Sequence, residues 1–186
     1  MKSTNNSTNN STNNSTNNSK STNPFQAPLP YPEVGVEESN PHYANILMKD
    51  YAGSGSELTA ITQYLYHNLT ESQNTDMSRT FMGIAKVEMM HLHMLGEIIV
   101  LLGGKPVFTS GYPGQFWTGR AVTYSHALSD KLADNLKGEQ RAIRQYEQHI
   151  AMIDDSYVKA VLKRIILDEE VHMKLLQQAM NRYDPD

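Results

Sequence analysis

The sequence contains no cysteine and a single tryptophan among 186 residues, and its charge is nearly balanced, with 16 basic against 20 acidic side chains. Absence of thiols excludes disulfides, thiolate nucleophiles, Cys-ligated iron-sulfur clusters and every thiolate metal site, leaving His and carboxylates as the strong metal ligands. A formal net charge of -4 gives no basic footprint for nucleic acid or an anionic membrane surface. Long hydrophobic runs are missing too. The stretch Ile98-Ile99-Val100-Leu101-Leu102 falls far short of the ~20 apolar residues of a membrane span, and the N-terminus has no apolar signal core. The expectation is a cytoplasmic protein with neither nucleic acid nor membrane as a partner.

The N-terminal region also lacks apolar side chains. Four tandem Ser-Thr-Asn-Asn units run from Ser3 to Asn18, a composition that cannot offset chain entropy by burial. Five of the eight prolines follow, Pro24, Pro28, Pro30, Pro32 and Pro41, at a density that forbids a regular helix. Residues 1–41 are therefore expected to be a disordered tail and a Pro-rich arm, leaving residues 42–186 as the folded domain. A domain of that size buries about two thirds of its unfolded surface.

From His42 onward the pattern is helical. Tyr43, Leu47, Tyr51, Leu58, Ile61 and Leu65 keep a three- to four-residue period, which predicts one helix over about 43–69 in which Gly53 and Gly55 weaken the middle without ending it. Phe81, Ile84, Ala85, Leu95, Ile98 and Leu102 form the stripe of a second helix over about 77–102, stopped by Gly103-Gly104-Lys105-Pro106. Residues 104–127 have no helical period and are too long for an ordinary turn. Two further helices are predicted over about 128–153 and 156–181, separated by the capping residues Asp154-Asp155-Ser156. Four helices with two short turns and one long crossover make an all-α four-helix bundle.

Polar residues interrupt these apolar stripes in a repeated order. The first half reads Glu57, Tyr64, Glu88, His91, and the second reads Glu139, Tyr146, Glu169, His172, with spacings that agree within one residue. The only two Glu-x6-Tyr pairs in the chain begin 31 and 30 residues before the two Glu-x-x-His pairs. Residues three apart share a helix face, so the Glu and His of each Glu-x-x-His reach one ion, and residues seven apart stack two turns along. One Glu from each of two helices plus Glu-x-x-His from each of the others is the ligand set of a dinuclear carboxylate site in a bundle core. Glu57 and Glu139 are assigned as terminal carboxylates, Glu88 and Glu169 as bridges, and His91 and His172 as one imidazole per ion. Four converging carboxylates would repel one another unless two divalent ions neutralised them. The donor set suits iron or manganese, with zinc left open. Tyr64 and Tyr146 lie on the faces of Glu57 and Glu139, where each phenol can hydrogen-bond a ligand carboxylate across the bundle. Asp168 either orients a ligand histidine or is a solvated charge. His42, His67, His93, His126 and His149 have no partner at ligand spacing and are expected at the surface or an interface. Met82, Met89, Met90 and Met94 are read as packing residues.

At these residues the sequence resembles the ferritin-like di-metal carboxylate superfamily, bacterioferritin in particular. Glu57-Leu-Thr-Ala-Ile-Thr-Gln-Tyr64 is similar to the bacterioferritin first-helix motif, and Asp168-Glu-Glu-Val-His172 to its fourth-helix motif, with similarity over about residues 54–181. The resemblance implies a ferritin-like bundle holding two metal ions per chain, iron favoured and manganese the alternative, that reacts with oxygen or peroxide. Ferroxidase or peroxidase activity is the main expectation; a dimanganese catalase, which needs no electron donor, and a non-catalytic iron-binding bundle are the alternatives. Met89 falls near the haem-ligating methionine of bacterioferritin, but a packing role is preferred to haem binding. Only residues 181–186 follow the last helix, which leaves no cage-lining fifth helix and implies a homodimer or small homo-oligomer. Rubrerythrins share the bundle, but their Cys-ligated electron-donor domain has no counterpart here.

Overall fold

Apolar side chains recurring every three to four residues give five α-helices in the computed structural model, which describes residues 23–109 and 115–183. The Ser-Thr-Asn-Asn tail lies outside the described residues, as does the crossover tip Gly111-Tyr112-Pro113-Gly114. The helices are α1 (Pro41–Ala52), α2 (Glu57–Thr70), α3 (Thr75–Leu101), α4 (Leu128–Met152) and α5 (Ser156–Tyr183). The last three follow the predicted bounds to within two residues.

The first helix does not follow its predicted course. Residues 53–56 divide it into α1 and α2, because the turn supplies a stop and a new start together. Gly53 N–H closes on Lys49 O at 3.1 Å, and any Cβ at Gly53 would sit 2.5 Å from that same carbonyl. Ser56 then caps α2, its Oγ accepting from Thr59 N at 3.3 Å, while Thr59 Oγ1 donates back to Gly53 O at 3.0 Å. Asn40 caps α1 ahead of Pro41, and Asn74 caps α3. Beyond α3, Gly103 takes a left-handed φ of 86°, the conformation in which glycine ends a helix without strain.

The helices α2 and α3 form one hairpin, α4 and α5 the other, and the two pack as a four-helix bundle with α1 against α3. Two apolar clusters fill it. Phe81, Ile84, Leu132 and Leu176 belong to one; Leu47, Leu95, Ile98, Leu162 and Ile165 belong to the other. Each such side chain contributes about 1.5–3 kcal/mol on burial. Along α3 the change of cluster falls between Ala85 and Met94, and along α5 between Ile165 and Leu176. The polar residues of both Glu-x-x-His pairs occupy those gaps. The crossover crosses α2, where Trp117 Nε1 donates to Thr59 Oγ1 and Thr123 N to Gln63 Oε1, both at 2.9 Å.

Residues 23–40, which include most of the expected Pro-rich arm, are bound to the bundle. Phe25, Tyr31, Val34 and Val36 alternate with the prolines and pack on the two cores, and Ala27 is buried. Proline pre-sets the extended backbone, so little entropy is lost on docking. Arg164 of α5 fixes the arm through hydrogen bonds to Leu29 O at 2.8 Å and Ala27 O at 3.0 Å, with its guanidinium over the Tyr31 ring. No helix among the described residues is long and apolar enough to cross a membrane.

Candidate metal centre

Helix geometry delivers four glutamates and two histidines, side chains able to ligate metal, to the gap between the two cores. Glu57 is the first residue of α2, so the break at residues 53–56 sets its place; Glu139 comes from α4, Glu88 and His91 from α3, Glu169 and His172 from α5. All six are at most 4% exposed. Their donor atoms form two overlapping clusters, Glu57, Glu88, His91, Glu169 and Glu88, Glu139, Glu169, His172, each within a 4.8 Å span. Glu88 and Glu169 belong to both. His91 Nδ1 lies 3.0 Å from Glu88 Oε2 and 3.3 Å from Glu169 Oε1; His172 Nδ1 lies 3.0 Å from both Glu88 Oε1 and Glu169 Oε2. Both imidazoles therefore turn Nδ1 inward.

The phenols cross between the halves. Tyr64 of α2 donates to Glu139 Oε1 on α4, and Tyr146 of α4 donates to Glu57 Oε1 on α2. Burial, then the neighbouring carboxylate, pushes both phenols well above their ordinary value, so they stay protonated as donors.

Electrostatics shows what the cluster lacks. Burial and the Glu88 carboxylate raise Glu57 well above the usual carboxylate range, and burial with the Glu169 carboxylate does the same to Glu139. Burial acts in the same direction on Glu88, but the charge of His172 and the hydrogen bond from His91 to Glu88 Oε2 outweigh it and hold Glu88 well below the usual carboxylate range. Burial opposes charge on the two imidazoles; the hydrogen bond that His91 donates to Asp168 with the Glu169 carboxylate beside it, and the Glu88 charge beside His172, still hold both well above their ordinary value. Protons alone thus balance the site, and incompletely. Glu88 Oε1 and Glu169 Oε1 are buried without a hydrogen-bond partner. Two divalent ions would neutralise four carboxylates and occupy both orphaned oxygens, so the residues present fit a dinuclear metal group.

Asp168 is not a solvated charge. It is fully buried and accepts from His91 Nε2 at 3.0 Å, Arg164 Nη1 at 2.6 Å, Ala27 N at 2.7 Å and Tyr31 OH at 2.5 Å. Against the cost of burial, those donors hold its carboxyl down at about 2, His91 foremost. His172 Nε2 meets the Phe25 carbonyl at 2.9 Å instead.

Two histidines expected at the surface are buried. His149 Nδ1 lies 2.6 Å from Asp50 Oδ2, and His67 Nδ1 accepts from Asn135 Nδ2 at 3.0 Å. Their signal was present in the sequence, because each stands ten residues after Glu57 or Glu139, extending the duplicated Glu-x6-Tyr to Glu-x6-Tyr-x2-His. Burial drives His67 down to about 4, so it is neutral. His42, His93 and His126 are exposed. Met94 packs in the core, whereas Met89 and Met90 lie partly exposed on α3, where Met89 borders a groove with Leu92, Val100 and Leu101.

A cavity of about 40 Å³ connects exposed Gly55 and Arg141 with buried Glu57, Glu88, Glu139 and Glu169. It holds one or two water-sized molecules. Gly138 lines it, and a Cβ there would meet no atom within 4 Å.

This bundle and its carboxylate-histidine cluster define a ferritin-like architecture, and the ferritin-like domain family matches residues 54–184. The chain belongs to that family. It is 27% identical over 170 residues to a probable manganese catalase of Clostridium acetobutylicum, covering 81% of this chain and 75% of the relative. Among solved structures, a manganese catalase from Anabaena superposes with a TM-score of 0.77 at 24% identity, covering 87% of this chain and 83% of its own. The bacterioferritin of Mycobacterium tuberculosis gives 0.66 at 22% identity, covering 79% and 89%.

Proposed function

We propose that the chain is a di-metal oxidoreductase that disproportionates hydrogen peroxide. Two overlapping buried clusters sharing Glu88 and Glu169 carry this reading. Glu57 and His91 would hold one ion and Glu139 and His172 the other, with Glu88 and Glu169 available to both. When bound, the metal pair supplies reversible two-electron exchange, so that one peroxide is oxidised to oxygen and a second is reduced to two waters without an external donor. Tyr64 and Tyr146 keep the terminal carboxylates oriented, and their raised pKa keeps each proton on the phenol rather than on the ligand. The small cavity matches a water-sized molecule such as peroxide.

Manganese is favoured over the iron expected from sequence, because the manganese catalase relatives match more of the chain than the bacterioferritin does. Ferroxidase activity is the second reading, supported by a donor set that suits iron equally. The test is metal analysis of protein grown with both metals, followed by oxygen evolution from peroxide. Two manganese per chain and donor-free oxygen evolution are expected. Two irons, with peroxide consumed only when Fe(II) is supplied, would establish the ferroxidase reading instead, and tightly held metal without turnover would overturn both.

A further inference from the structure

The duplicated sequence would make the two ion positions equal, but their surroundings are not. Asp168 directly precedes Glu169, whereas the residue preceding Glu88 in the other half is Val87. Asp168 reaches across to His91 of α3 and accepts from its Nε2 at 3.0 Å. Val87 is buried and apolar and has nothing to offer His172 in return. The N-terminal arm fills that role with a backbone group, the Phe25 carbonyl, at 2.9 Å from His172 Nε2.

We infer that the two positions are unequal, and that the one between Glu57 and His91 binds its ion more tightly than the one between Glu139 and His172. This inference rests on the dinuclear reading above. An imidazole donating its outer N–H to a carboxylate is a more basic ligand than one donating to a neutral carbonyl, and such outer partners shift metal affinity by about 10–100-fold. Arg164 donates to Oδ1 of Asp168, and Oδ2 accepts from both Tyr31 and His91, so the outer N–H of His91 still meets a carboxylate oxygen. Ala27 N and Tyr31 OH complete the set of four donors, which locks the carboxylate in place from the arm. The arm therefore acts on both halves, fixing a charged acceptor behind His91 and supplying a neutral one behind His172. Asp168 and Phe25 are positioning residues, each acting through the histidine it holds.

The test is titration of the full-length metal-free chain with Mn(II), with free ion read from its six-line electron paramagnetic resonance signal. Two steps separated by at least about tenfold are expected. His172→Ala should retain one ion at the tighter constant, and His91→Ala one ion at the weaker. Asp168→Asn, which keeps size and removes charge, should weaken the position between Glu57 and His91 by about 10–100-fold, closing the gap between the two steps, and leave the position between Glu139 and His172 unchanged. If Asp168→Asn does not fold, the two alanine variants still decide. Equal constants in the wild type, or equal retention by the two alanine variants, would overturn the inequality and leave the dinuclear reading standing. Absence of any tight Mn(II) binding would overturn both, and two unequal steps in a protein inert to peroxide would remove the catalytic reading alone.

Discussion

Glu88 and Glu169 each face both imidazoles, so removing either takes a ligand from both halves of the cluster at once. Glu88→Ala or Glu169→Ala should therefore lower metal content well below two ions per chain by elemental analysis. Full stoichiometry in both variants would show that neither is a bridge. Gly138 separates access from metal binding. It lies within α4, where glycine costs about 0.5–1 kcal/mol relative to alanine, yet its site has room for a side chain. Gly138→Ala should raise the melting temperature, while Gly138→Leu should fill a cavity of about 40 Å³ and depress peroxide kcat/KM at unchanged metal content. Wild-type kinetics in the leucine variant would mean that substrate enters elsewhere. The convergence of the six carboxylate and imidazole side chains with both tyrosines was legible because side-chain type and spacing encode it. His67 and His149 were not, because a histidine ten residues from a glutamate acquires meaning only once α1 and α4 place Asp50 and Asn135 beside the pair.

Among the elements, α3, α4 and α5 were legible as long amphipathic stripes ended by strong breakers. The division between α1 and α2 was not. It depends on Gly53 closing against Lys49 O and on Ser56 capping a new helix, and a glycine pair in a periodic run reads equally well as a tolerated weakness. The Pro-rich arm was legible as an extended segment, but its docking on the bundle was not. Its role is carried by the carbonyls of Phe25, Ala27 and Leu29, and backbone groups leave no trace in a side-chain pattern. Gly83 offers a test of its docking, since any Cβ there would overlap the Phe25 ring. Gly83→Ala should destabilise the fold by about 1–3 kcal/mol, the usual cost of overpacking. It should also weaken metal retention about tenfold by displacing the Phe25 carbonyl from His172. Unchanged stability and unchanged metal affinity would show that the arm rests on the bundle without contributing to the centre.

For the molecule as a whole, the dinuclear reading predicts that metal must displace the protons the cluster otherwise holds, which would couple stability to pH in opposite senses with and without metal. His91 and His172 have folded pKa values above 6.5, so their contribution to the metal-free fold is complete below about pH 6.5 and is lost as pH rises. Glu57 and Glu139, raised above 4.5, act in the same direction, because ionising them in the buried site becomes a growing cost as pH rises. Asp168, held at about 2, works the other way, but only below its ordinary value of 3.8. Metal binding needs all of the ligands deprotonated, so it releases protons and strengthens with pH. Between about pH 5 and pH 8 the melting temperature of the metal-free chain should fall while that of the loaded chain rises or holds. At a free-metal concentration of about 100 Kd the stabilisation reaches about 2.7 kcal/mol, large enough to read by calorimetry. Parallel melting curves for the two forms across that range would mean that the protons and the metal do not compete for the same six side chains.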